Sequence, residues 1–158
     1  MKEVDKFEQE QIDLKESYQQ SLKNRHERTA MKDDLMVQQQ VINVWQHMVG
    51  VICLNQTGRK KVKKLLPSFF EKFPTAEELL ESDKETIASM LEGLGMKNVR
   101  AHRIWRMSQD YLTWDGKDAT KLFGIGKYGS DSYRIFYKNE IPENVQDKEL
   151  KRYLNERI

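Results

Sequence analysis

One cysteine, three prolines and eight glycines are all that 158 residues hold of the types that staple, break or sharply turn a chain. The lone Cys53, in the apolar run Val49-Gly50-Val51-Ile52-Cys53-Leu54, excludes an internal disulfide. It equally excludes a Cys-ligated iron–sulfur cluster or a cysteine-based zinc site within the chain, and it fits a reducing compartment. So few glycines and prolines leave little for strand-to-strand turns. No apolar run is long enough to span a membrane, so no membrane partner is expected. The first residues, MKEVDKFEQEQ, lack the apolar core of a signal peptide. The three histidines, His26, His47 and His102, show no metal-ligand spacing and read as surface or interface residues.

What is present is charge and helical periodicity. The net charge is only +2, but residues 1–34 carry 7 basic and 9 acidic side chains, which leaves the remainder at +4. The positive charge gathers in Arg59-Lys60-Lys61-Val62-Lys63-Lys64 and in Lys97, Arg100, Arg103 and Arg106. Both clusters open helix-like segments just after a turn, a placement suited to phosphate backbones and equally to a solvated helix face.

In the N-terminal stretch, Val4, Phe7, Leu14, Tyr18 and Leu22 share an arc of about 80° on a helix, interrupted by Gln11. We read residues 1–34 as a charged helical arm. Its seam over residues 4–22 is expected to bind a protein partner, to self-associate or to fold back on the body. The body begins at residue 35. Val41, Val44, Trp45, Met48, Val49, Ile52, Cys53 and Leu54 predict a central helix, apolar almost all round. A basic helix follows with Leu65, Leu66, Phe69, Phe70 and Phe73 on its inner side, where Pro67 should bend or interrupt it. Thr75-Ala76-Glu77-Glu78 and Ser82-Asp83-Lys84-Glu85 read as two capping boxes. A short helix is expected over 117–122 and a last one from about Lys148. No strand pattern emerges, and the fold class expected is all-α.

Two turns carry the chemistry. Leu122-Phe123-Gly124-Ile125-Gly126-Lys127-Tyr128-Gly129 joins two helical runs through glycines flanking one apolar residue. Such a hairpin brings backbone N–H groups close to an anion, for example one DNA phosphate. Thirty-one positions upstream, Gly93-Leu94-Gly95-Met96 begins a segment that aligns without a gap, and both copies continue to Arg-Ile-aromatic. The expectation is two successive hairpins at one end of the domain.

With these motifs, residues 35–158 resemble the helix–hairpin–helix DNA glycosylases of the endonuclease III superfamily. Within it they are most similar to the glycosylase domain of the methyl-CpG-binding-domain thymine glycosylase. The likeness runs through Trp45 to Gly58, Phe69 to Glu77, Gly93-Leu94-Gly95 with Arg100-Ala101, and Gly124 to Phe136. It implies base excision: a nucleotide is flipped out of duplex DNA and its N-glycosidic bond hydrolysed, here for a mismatched or damaged pyrimidine of the G·T or G·U type. The essential carboxylate then falls on Asp147, with Glu143 and Glu149 as alternatives. One carboxylate can stabilise an oxocarbenium-like sugar and activate water; an Asp there can also simply cap a helix.

Tyr128 stands where bifunctional relatives carry a Schiff-base lysine. A monofunctional enzyme without lyase activity is therefore expected, with Tyr128 against the flipped base or the catalytic carboxylate and Lys127 facing elsewhere. Met96 matches the wedge that fills the flipped nucleotide's place. Gly124, Gly126, Lys127, Gly129, Gly93, Gly95, Gln56, Lys60, Lys61, Lys64 and Arg100 are the remaining expected DNA contacts. The implied partner is double-stranded DNA in the nucleus. No cofactor is expected, and a monovalent cation at the second hairpin is the one ion the reading admits. Two departures stand out. Gln56 replaces an Arg that in the relatives reaches into the duplex. Strict alignment puts Val37 where they place a base-reading Gln, and a shift of one residue would substitute Gln38 from the run Gln38-Gln39-Gln40. These departures motivate an alternative, a weakly active or inactive glycosylase fold used as a DNA-binding or protein-interaction module.

Overall fold

The structure, a computed structural model, describes residues 8–12 and 36–157. Eight helices make up the described body: α1 (Val37–Gln40), α2 (Val44–Leu54), α3 (Arg59–Lys72), α4 (Ala76–Leu80), α5 (Lys84–Ser89), α6 (Lys97–Thr113), α7 (Lys127–Tyr137) and α8 (Lys148–Arg157). Two short 3-10 turns, Glu92–Leu94 and Ala119–Lys121, precede α6 and α7. Among the described residues there is no strand.

The central apolar segment is broken where the sequence predicted it continuous. Residues 41–43 are extended, and Asn43 caps α2 by accepting from the Gln46 N–H at 2.8 Å. From Val44 to Cys53 every residue of α2 is buried, which makes it the axis on which α1, α3, α6 and α7 pack. Pro67 sits inside α3 without interrupting it. A proline deprives the carbonyl four residues back of its partner. Here that carbonyl is Lys63 O, and the Gln40 amide donates to it at 2.9 Å.

Thr75 caps α4 through the Glu78 N–H at 3.1 Å, as its capping box predicts. In the second box the cap is Asp83, not Ser82, and it accepts from the Thr86 N–H at 2.8 Å. The carboxylate is the stronger acceptor at a helix N-terminus. The helix expected over 117–122 is only the 3-10 turn Ala119–Lys121, capped by Asp118.

The two glycine turns share letters but not backbone conformation. In the first the left-handed glycine is the second one, Gly95 (φ 74°), and Met96 follows it at φ 51°. In the other it is the first, Gly124 (φ 81°), while Gly126 has φ −109°. The expectation of two equivalent hairpins is thus corrected. Each turn buries its apolar residue in the core, Leu94 in the first and Ile125 in the second. Ile125 is 5% exposed and lies so close to Gly129 that a Cβ there would stand 2.6 Å from Ile125 Cγ2 and 3.1 Å from Val51 Cγ1.

The seam residues Val4, Phe7, Leu14, Tyr18 and Leu22 lie outside the described residues, as does His26. Residues 8–12 are helical, with Ile12 exposed and the Gln11 amide donating to the Tyr111 hydroxyl.

Gly129→Ala tests the hairpin packing. In an open helix Ala would gain about 1 kcal/mol over Gly. Here the added methyl should cost about 1–3 kcal/mol, read as a lower urea midpoint.

Candidate active site

Two apolar clusters meet at one aromatic ring. The main core is built on α2, and a smaller one gathers Met36, Ile135 and Leu150; Tyr128 packs against both. Between them opens a cavity of about 670 Å³, bordered by the α1 N-terminus, the α2–α3 loop, the Gly124–Gly129 hairpin and the start of α8.

Asp147 and Tyr128 both line this cavity, together with Gln56, Gly124, Gly126, Lys127 and Gly129. Asp147 is also the cap of α8: its Oδ2 accepts from the Leu150 N–H at 2.9 Å. Its Oδ1 makes no hydrogen bond among the described residues. Of the alternative carboxylates, Glu149 borders the cavity and Glu143 does not. Glu149 is bound by Arg59 at 3.0 Å and Arg152 at 2.9 Å, so Asp147 is the carboxylate not engaged by a cation. Burial pushes the Tyr128 phenol up to about 12, helped by the charges of Asp147 and Glu149 and opposed by a hydrogen bond from Gln38. Tyr128 is therefore a neutral hydroxyl at any ordinary pH.

The three glutamines of α1 divide three tasks. Gln39 accepts from the Met36 N–H at 2.9 Å, and Gln40 serves Lys63 O. Gln38 reaches the cavity wall and donates to the Tyr128 oxygen at 2.5 Å and to Ser132 Oγ at 3.0 Å. Val37 packs into the core, where a Cβ on Gly50 would stand 2.6 Å from its Cγ1. It is Gln38, one residue on from the strict alignment, that carries an amide beside Tyr128.

Two expectations are corrected. Arg100 is no phosphate contact: it is 2% exposed. Its guanidinium donates to Cys53 O at 2.7 Å, Ile52 O at 3.3 Å, Gly95 O at 2.9 Å and Thr57 Oγ1 at 2.5 Å. A cation there satisfies carbonyls left over at the α2 C-terminus. Lys127 borders the cavity, but its ammonium is held at 2.8 Å by Asp131, a residue outside the lining. His47 is not a surface residue: it is 1% exposed on α2, its Nε2 lies 2.8 Å from Ser132 Oγ, and burial lowers its pKa to about 3.

Lys60, Lys61 and Lys64 project from α3 as exposed side chains, and Gly93 and Gly95 are exposed in the first turn. Met96 stands 49% exposed at the start of α6. None of these lines the cavity. Arg59 and Arg103 do, and sequence reasoning placed them only within broader basic clusters. The Ser132–His47 pair behind the wall was missed. Its only trace in the sequence is a titratable residue within the apolar run of α2. Among the described residues, no group of His, Cys, Asp and Glu is placed to share a metal.

An all-helical fold with a carboxylate, a phenol and a glycine hairpin around one cavity matches a known class. The chain belongs to the HhH-GPD superfamily of base excision DNA repair proteins, whose family model matches residues 49–156. It is 30% identical over 92 residues to a methyl-CpG-binding domain protein 4-like protein of Arabidopsis thaliana, covering 58% of this chain and 21% of that protein. Over 117 residues it is 26% identical to a thymine/uracil-DNA glycosylase of Pyrobaculum aerophilum, covering 70% and 50%. The fold is shared with a thermostable thymine-DNA glycosylase (TM-score 0.63, 16% identity, 85% of this chain and 62% of that one). It is also shared with endonuclease III in a non-covalent DNA complex (TM-score 0.60, 16% identity, 78% and 60%). The chain spans between about a fifth and a half of the length of these curated relatives.

Burial of His47 has a consequence for stability. Its folded pKa lies below the unfolded value of 6.5, so the unfolded chain takes up the proton first. Stability is lost as pH falls from about 6.5 towards 3. Between pH 7 and pH 5 this one residue should cost about 2 kcal/mol. Urea unfolding of His47→Leu should therefore show a shallower fall between those pH values than the parent; equal falls would show that His47 is not held neutral.

Proposed function

We propose that this protein is a monofunctional DNA glycosylase that removes thymine or uracil from a G·T or G·U mispair in duplex DNA. The observation that carries the reading is the convergence of Asp147, Tyr128 and the Gln38 amide on one cavity beside the Gly124–Gly129 hairpin. Two of the curated relatives are thymine/uracil-DNA glycosylases by name, which supports the pyrimidine assignment.

In this reading the α7 N-terminus holds a phosphate with the amides of its first turn, which Gly126 leaves without a side-chain cap. Met96 enters the duplex as the flipped nucleotide leaves it. Asp147 Oδ1 faces the sugar, stabilises the positive charge that develops on it, and takes a proton from the attacking water. Gln38 and Tyr128 hold the base by its polar edge. A phenol cannot form a Schiff base, and the Lys127 ammonium is engaged by Asp131, so the strand is left uncut. Gln56, neutral at the cavity edge, favours the second reading, a fold that grips duplex DNA without excising.

Incubation with duplexes carrying single G·T and G·U pairs, followed by alkaline cleavage, decides between the two. Alkali-dependent strand breaks are expected, and borohydride should trap no covalent adduct; a trapped adduct would overturn the monofunctional claim. Asp147→Asn should slow excision by about 100-fold or more while duplex affinity stays within about twofold. Loss of activity in Glu149→Gln with survival in Asp147→Asn would move the role to Glu149.

Binding should weaken steeply with salt. Replacing Lys60, Lys61 and Lys64 together by Gln should lower the slope of log affinity against log salt by about 2 to 3. An unchanged slope would take these lysines out of the interface.

A further inference from the structure

From Tyr128 and Gln38 on the cavity wall a chain of polar groups runs inward to Ser132 and His47, two residues that the excision chemistry does not use. His47 precedes the residues matched by the family model. It is almost wholly buried, and Ser132 is fully so. We infer that His47 is a positioning residue: through Ser132 it fixes the orientation of the Gln38 amide, and so leaves the Tyr128 hydroxyl proton directed to the cavity. The inference rests on the reading of that cavity as a base-excision site.

The argument is one of hydrogen-bond polarity. The two ends of an amide have nearly the same shape, and a hydroxyl can donate or accept, so neither Gln38 nor Ser132 chooses a direction alone. A bare imidazole nitrogen can only accept. With His47 neutral and its proton on Nδ1, Ser132 donates to Nε2 across 2.8 Å. The serine oxygen then accepts from Gln38 Nε2 at 3.0 Å. The second hydrogen of that same nitrogen goes to the Tyr128 oxygen at 2.5 Å. Within the chain the donors of Ser132 and Gln38 are thereby used; the phenol proton remains, as does the His47 Nδ1–H, which is buried without a partner among the described residues. The phenol proton can serve a carbonyl oxygen of a base or the Asp147 carboxylate. In the opposite polarity Ser132 and Tyr128 would both donate to the Gln38 carbonyl, and the phenol would offer only lone pairs. A proton on Nε2 would impose that reversal: burial among Phe136 and Tyr137 excludes the doubly protonated ring, and the neutral Nε2–H tautomer is the state in which the inference fails.

A leucine would fill the same place in the buried α2, and a glutamine would return an acceptor oxygen to Ser132. His47→Leu and His47→Gln in the full chain therefore separate packing from polarity. Single-turnover excision from a G·T duplex should fall about tenfold in His47→Leu, the worth of one hydrogen bond, with duplex affinity within about twofold. His47→Gln should recover to within about threefold of the parent rate. Nitrogen-15 spectra of the parent should show the Nδ1–H tautomer from pH 5 to 8. If His47→Leu does not fold, Ser132→Ala cuts the chain at its middle and should show the same slowed excision. Equal rates in the Leu and Gln variants, an unslowed Leu variant or an Nε2–H tautomer would each overturn the inference. Should the parent protein release no base at all, the excision reading falls by itself. The tautomer then still decides the polarity of the chain.

Discussion

A guanidinium buried at the carboxyl end of α2 holds the two loops that flank the candidate site in one piece. Arg100 ties Ile52 and Cys53 at the end of α2 to Thr57 in the following loop and to Gly95 in the first glycine turn. Burying a cation is costly unless each donor is met. Here two carbonyls at the negative end of a helix dipole, a third in the glycine turn and the Thr57 hydroxyl meet them. The exposed Met96 and the left-handed Gln56 are both placed by segments this one side chain grips. Loss of the guanidinium would leave helix-end carbonyls without partners and free the two loops from one another.

A similar economy runs through α1. Four residues long, it could not persist as an isolated helix. It is held by what its side chains do elsewhere: Val37 in the core against Gly50, Gln40 on the carbonyl that Pro67 deprives of a partner, and Gln38 on Tyr128. The proline that the sequence marks as a break in α3 is tolerated because another helix supplies the missing donor. Stability of α3 and placement of the cavity amide are thereby linked through the same short segment.

Asp147 and Tyr128 were singled out in the sequence only through the resemblance to the glycosylases, and the structure sets both on the cavity wall. The caps at Thr75 and Asp83 were legible within one residue because a cap and its partner lie three residues apart. Arg100 and His47 were not. A basic residue after a turn looks alike whether it meets solvent or carbonyls contributed from 47 and 48 positions away in the chain. A histidine in an apolar run gives no sign of a serine 85 positions distant. The choice between Val37 and Gln38 was also undecidable locally. It turns on which side chain finds the space above Gly50.

The sequence by itself determined most of the helices, the cap at Thr75 and the glycine hairpin, since capping and periodicity are settled among residues three or four apart; it did not show the break before Val44 or the shortening of 117–122 to a 3-10 turn. It also placed the carboxylate and the phenol on elements that could meet. Only the tertiary structure decided which cations are solvated and which are buried, and which glycine of each pair adopts positive φ. It alone settled which glutamine faces the phenol. Those outcomes depend on donors, acceptors and free volume supplied by segments far apart in the chain, and no local pattern encodes their convergence.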